Sequence, residues 1–266
     1  DVQILNYALT LEHLENAFYS GALAQFDDAA FSNAGLDRNL FCQISAHEAA
    51  HVQFLTTALG DQATQPCQYS FPYTDPTSFS ALSAVLEGVG VSAYLGAAQF
   101  IQNKDYLTAA GAILTTESRH SAWVSSSENH MEPWSGPLDT PLSFDDVYSL
   151  AAPFIKSCPS TNPALPVKAF PALTTTTTGS VKAGDKLCLS SPGWNAGSSQ
   201  LFVAFFSGLS TYISAYDASE NSTMVPSELT TEGTVYAVIT SVNGTVTDDN
   251  TVAGPIILSI AGSNPN

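Results

Sequence analysis

The sequence predicts an α+β multidomain chain: a helical bundle over residues 1–158, a Pro/Thr-rich linker over 159–179 and a small all-β sandwich over 180–266. Three observations carry this division. Residues 1–158 are rich in Ala, Leu, Glu and Gln, and their apolar side chains recur three and four apart, the helical period. In "CPSTNPALPVKAFPALTTTTTG" (158–179) repeated prolines precede a run of threonines, the composition of an extended linker. Beyond it, short runs rich in β-branched and aromatic residues alternate with turn signals.

The elements follow in order. Helices are predicted at about 1–25, 38–60, 77–102 and 105–130, with Asp37 capping the second and Thr77-Ser78 the third. A shorter fifth helix is expected at about 143–157, starting at Ser143 with Asp145 and Asp146 in its first turn. Short links join the first two helices and the next two, as antiparallel neighbours require. The segment "GDQATQPCQYSFPYTDP" (60–76) is long enough to climb back along a bundle. Two helical hairpins joined by one long crossover make the ferritin-like arrangement. The runs at 181–190, 200–208, 210–218, 234–242 and 255–262, with a turn at Asn243-Gly244, read as strands of a β-sandwich. This module carries no cluster of chemically active residues, and packing or surface contact is its expected role.

Composition narrows the partners. Only 7 Lys+Arg stand against 24 Asp+Glu, for a formal net charge of −17, which argues against nucleic acid and against an anionic membrane surface. No apolar run reaches the ~18 residues of a membrane span. Four cysteines without a CxxC pair suit two disulfides, and the sequons at Asn221 and Asn243 suit N-glycosylation. With few lysines and a chain opening directly on a helical pattern at Asp1, these features predict a secreted, extracellular glycoprotein. Of the three connectivities four cysteines allow, Cys67–Cys158 with Cys42–Cys188 is the expected pairing, the first closing bundle-surface segments and the second tying the β module to the second helix.

The stretch "ISAHEAAHVQF" (44–54) spells HExxH, the helix motif of zinc metalloproteases. Comparing the two hairpins gives it another meaning. "LEHLENAFY" (11–19) and "LEGVGVSAY" (86–94) both place Leu-Glu first and Tyr seven residues after the Glu. "ISAHEAAHVQF" (44–54) and "ILTTESRHSAW" (113–123) both place Ile four before a Glu, His three after it and an aromatic three further on. The unit Glu…Glu-x-x-His therefore occurs twice, as Glu12…Glu48/His51 and Glu87…Glu117/His120. Residues i and i+3 lie about 60° apart on a helix, so Glu and His can reach one ion. Each glutamate falls near the middle of its predicted helix, so all four meet at one level. Four buried carboxylates without a cation repel prohibitively. Two divalent ions neutralise them, and two imidazoles complete the coordination. His47 has no counterpart, because Thr116 stands in its place, and Phe54 occupies the position where the longer HExxHxxGxxH motif needs Gly. The zinc-protease reading therefore ranks far below the dinuclear one, with His47 behind the ligands or at the surface.

"LNYALTLEHLENAFY", "HEAAHVQFL", "LEGVGVSAYLGAA" and "TTESRHSAWV" resemble the secreted ferritin-like family of fungal stress-response and plant desiccation-related proteins, over residues 1 to about 173. The resemblance implies a ferritin-like four-helix fold and a di-iron or di-manganese site. It implies no settled reaction and does not extend to the β module.

Glu15 competes with Glu12 as the ligand from the first helix, or accepts hydrogen bonds behind it; Gly90 at the equivalent position of the repeat favours Glu12. Tyr19 and Tyr94 are candidates to hydrogen-bond the ligands or act in redox chemistry, with core packing as the competing role. Trp123 reads as core, His13 as exposed, and His130 as part of a polar helix end with Glu128 and Glu132. Manganese or iron is expected, and zinc fits the same ligand types. Four glutamates balance two M(II) ions, and one added dianion balances two M(III) ions, which suits redox chemistry on a small-molecule oxidant, dioxygen or peroxide. The rival is a non-catalytic secreted metal-binding protein whose site locks the bundle; iron storage in a cage ranks lower.

Overall fold

A computed structural model describes residues 1–192 and 200–261. Residues 193–199 and 262–266 lie outside the described residues, and with them the last residue of the final predicted strand. The chain divides into two compact units, Asp1–Pro133 with Ala151–Pro166, and Trp134–Leu150 with Val167–Asn266.

The first unit is a four-helix bundle. Helix α1 (Val2–Gln25) packs against α3 (Arg38–Leu59), and α4 (Pro76–Ala98) against α5 (Lys104–Trp123), with a single-turn α2 (Asp28–Asn33) in the first link. The starts are set by capping: Asp37 accepts from the amides of Asn39 and Leu40, and Asn103 from those of Asp105 and Tyr106. The third long helix starts a residue earlier than expected. Pro76 is its first residue, Asp75 is the cap, and Ser78 returns its hydroxyl to the Asp75 amide in a capping box. Beyond Trp123, α5 widens into a π-turn over Val124–Glu128, and His130 follows in the left-handed region at φ 54°. Trp123 packs edge-on against Phe41, next to Phe79 and Phe31, in an aromatic cluster at one end of the bundle. Leu5, Leu9, Leu55, Leu59, Ile101 and Ile113 form an aliphatic cluster elsewhere in it.

The crossover does more than connect. Strand β1 (Gln68–Tyr69) pairs antiparallel with β2 (Ile155–Ser157), and the Cys67–Cys158 disulfide closes beside them. Asn6 donates to the Gln62 carbonyl and accepts from the Thr64 amide, which clamps the crossover onto α1. His13 lies under this clamp. Expected at the surface, it is buried and its Nε2 donates to the Thr64 carbonyl at 3.1 Å. Helical periodicity showed which side of α1 faces the bundle but not that the crossover would cover the other.

In the second unit β3 (Thr174–Thr175), β4 (Lys186–Ser190) and β7 (Ser222–Met224) form one antiparallel sheet. Strands β6 (Ser210–Tyr216), β5 (Leu201–Ser207), β8 (Gly233–Thr240) and β9 (Thr251–Ile260) form another in that order. Leu187 and Leu189 from the first sheet share a core with Val203, Phe205, Val235, Ile239 and Leu258 from the second. Three expectations are corrected here. The linker is not free chain: Phe170 and Leu173 are buried, and the β-prone threonines pair with Leu189 and Ser190. The fifth helix, α6 (Phe144–Ala151), belongs almost wholly to this unit, where Asp145 accepts from the Lys168 amide and Ser149 from that of Phe170. Cys42 and Cys188 are free thiols, each half-buried, rather than the expected disulfide. The sequon residues Asn221 and Asn243 are both exposed.

Candidate metal centre

Glu12 on α1, Glu48 and His51 on α3, Glu87 on α4, and Glu117 and His120 on α5 meet in the middle of the bundle. They form two overlapping groups able to hold an ion: Glu12, Glu48, His51 and Glu117, and Glu48, Glu87, Glu117 and His120. All four carboxylates are fully buried. His51 Nδ1 lies 3.2 Å from Glu12 Oε2, 3.4 Å from Glu48 Oε2 and 3.0 Å from Glu117 Oε1. His120 Nδ1 lies 3.3 Å from Glu48 Oε1, 3.3 Å from Glu87 Oε2 and 3.5 Å from Glu117 Oε2. Glu48 and Glu117 thus present one oxygen to each imidazole and can bridge two ions. Glu12 and Glu87 each serve one position.

These approaches are ion pairs by distance but not hydrogen bonds by direction. Glu12 Oε2, both oxygens of Glu48 and Glu117, Glu87 Oε2 and the Nδ1 atoms of His51 and His120 are all buried without a hydrogen-bond partner. Orphaned buried polar atoms are costly when scattered. Here they are the ones that face two common points, and carboxylate oxygens with imidazole nitrogens are the donor set of a divalent transition metal. The residues fit a dinuclear centre.

The remaining oxygens are tied down. Tyr94 donates to Glu12 Oε1 and Tyr19 to Glu87 Oε1, and Tyr19 also meets Ser83 Oγ at 2.6 Å. Each tyrosine serves the glutamate of the opposite hairpin. Seven residues of helix rise about 10 Å, too far for a return to its own glutamate. Burial, and then the adjoining carboxylate, push both phenols well above their ordinary range, so they stay protonated donors. Burial pushes Glu12 up to about 8 and holds Glu87 and Glu15 well above the usual carboxylate range. Against the upward pull of burial, His120 and His51 hold Glu117 down to about 2. Burial alone would lower both imidazoles, but the carboxylates around them push each up to about 12.

His47 is the residue behind a ligand. Its Nδ1 lies 2.9 Å from His120 Nε2, with the two rings nearly parallel. With His120 Nδ1 facing the centre, its Nε2–H donates to His47, which orients the ring. In the HExxH sequence, therefore, His47 and His51 do not face a common ion, and Glu48 belongs to the carboxylate set. Glu15 is buried beside the centre but outside both groups. Sequence reasoning missed Ser83, which sits four residues before Glu87 on the same helical face.

A four-helix bundle with one crossover and a carboxylate–histidine centre among its helices is of the ferritin-like class. Residues 1–130 match the family described as ferritin-like domain. Protein rds1 of Schizosaccharomyces pombe (strain 972 / ATCC 24843) is 31% identical over 179 residues, which is 65% of this chain and 44% of that protein. The chain thus spans less than half the length of the curated relative it matches.

Proposed function

We propose that the ferritin-like domain holds two manganese or iron ions and uses them in redox chemistry on dioxygen or peroxide. The observation that carries the reading is the convergence of orphaned ligand atoms on two points, shared by Glu48 and Glu117. Two such ions, each changing by one electron, supply the two-electron step that peroxide or dioxygen reduction needs. The chain's own part is to hold them in a water-poor core, with Tyr94 and Tyr19 keeping protons beside Glu12 and Glu87. The assay is turnover: protein loaded with two manganese or two iron ions should disproportionate hydrogen peroxide to dioxygen and water, or consume dioxygen catalytically when an electron donor such as ascorbate is supplied. Loaded protein inert to both would overturn the redox reading.

The complete burial of the carboxylates favours a second reading, a centre that only locks the bundle. The same assay separates the two, since a structural centre stabilises without turnover. The Cys67–Cys158 disulfide and the exposed asparagines at 221 and 243 support a secreted glycoprotein. A glycosidase-sensitive mass on protein recovered from the medium tests that.

A further inference from the structure

The repeat makes the two halves of the centre alike, and it fails at two places that matter. The first is the pair Glu15/Gly90. Glu15 on α1 is a fifth buried carboxylate, and its counterpart on α4 is glycine. A Cβ at position 90 would lie 3.1 Å from Glu15 Oε1 and 3.9 Å from Glu117 Oε2. A side chain at 90 would crowd Glu15 Oε1 by a few tenths of an ångström, on the side of Gly90 where Glu117 Oε2, the oxygen facing His120, also lies within 4 Å. The second place is the pair His47/Thr116. His47 bonds the outer nitrogen of His120. Its counterpart Thr116 gives its hydroxyl to the Ala112 carbonyl one turn back on its own helix, so among the described residues His51 has no counterpart of the His47 contact. Exposure follows the same division, since 13% of the His51 side chain reaches solvent against 6% for His120.

We infer that the two metal positions are unequal: the His120 position, backed by Glu15 and His47, is the tight one, and the His51 position is the exchangeable one. This rests on the dinuclear reading proposed above. An added carboxylate attracts a cation, and a supported imidazole loses less freedom on binding it. Outer partners of this kind are worth about 10- to 100-fold in metal affinity. Stepwise binding alone would prove nothing, because the first ion neutralises part of the shared Glu48 and Glu117 and weakens the second even in a symmetric site. Position has to be read.

The test uses Mn2+ as the probe on the full chain, with free ion read by electron paramagnetic resonance. In the H51A background, where only the His120 position is whole, E15Q and H47A should each weaken the remaining ion by about 10-fold or more. In the H120A background neither should move it. Gly90→Ala, whose Cβ would press on Glu15 Oε1 at 3.1 Å and only touch Glu117 Oε2 at 3.9 Å, should weaken the same ion in the same direction as E15Q. If the single-histidine proteins bind nothing, the intact chain decides: E15Q and H47A must weaken its first binding step. Equal effects in the two backgrounds, no effect in H51A, or weakening of the second step alone would each overturn the inequality. A wild-type chain that binds no Mn2+, Fe2+ or Zn2+ would instead sink the dinuclear centre itself.

Discussion

Loading the centre should expel a countable number of protons. Among the described residues no lysine or arginine pairs with these carboxylates, so without metal their neutrality rests on protons. Both imidazoles, pushed up to about 12, are charged at pH 7. Glu12, pushed up to about 8, is mainly protonated there, and burial favours the protonated form of Glu87 as well. As ligands all four must give them up, so binding two divalent ions at pH 7 should release about four protons.

Linkage converts that count into a slope. The overall two-ion association constant should rise about 10⁴-fold per pH unit near pH 7, or roughly 100-fold for each ion. The same shifts fix the sign for the metal-free fold. The Glu12 proton contributes stability that is fully present below about 4.5 and lost as pH rises through 8. The imidazole protons contribute below 6.5 and are lost only towards 12. Chelated protein should therefore weaken steadily from about pH 5 to pH 8, while loaded protein should not. The assay is Mn2+ added to weakly buffered metal-free protein with a pH indicator, repeated as calorimetry in two buffers of different ionisation enthalpy. Release of fewer than about two protons per pair of ions would refute the protonated resting site, and with it this account of how the core tolerates the carboxylates.

Other substitutions have separate readouts. Ala at both Glu48 and Glu117 should abolish both ions by elemental analysis, whereas E12A or E87A should mainly weaken one, because only the first pair faces both imidazoles. Y94F and Y19F should each lower Mn2+ affinity about 10-fold by freeing an oxygen of Glu12 or Glu87, without changing the count of ions. Thiol titration of the denatured, unreduced chain should find two free thiols, and reducing Cys67–Cys158, which spans 91 residues, should cost about 2–5 kcal/mol of stability in denaturant melts. Asp146 is buried with one unpartnered oxygen, and burial raises it from 3.8 to about 6. Its proton stabilises the β unit below pH 3.8 and that contribution is lost as pH rises through 6, so D146N should stabilise the unit at pH 7 by up to about 3 kcal/mol.

How much of this could be read from the chain follows from the kind of signal each feature leaves. Ligands on one helical face at a fixed spacing repeat visibly, so Glu12, Glu48, His51, Glu87, Glu117 and His120 stood out before any coordinates. The tyrosines stood out by the same repeat, though not that each crosses to the other hairpin. What periodicity cannot carry is cover supplied from far along the chain. His13 looked exposed because nothing local marks the crossover that buries it, and Cys42 looked bonded because an even count of cysteines says nothing of which thiols meet. Thr174–Thr175 read as linker because two residues are too few to show a strand's alternation. The deviations from the repeat proved more informative than the repeat. Glycine opposite Glu15 could have been taken only as evidence that Glu12 is the ligand. In the fold it also leaves room beside Glu15 Oε1. His47, the residue that made the chain look like a protease, stands beside His120, as Glu15 stands beside Glu117. A near-symmetric centre that breaks its symmetry twice on the same side is asymmetric in its sequence as well as in its packing, which is why the two metal positions can be distinguished by mutating residues outside the ligand set.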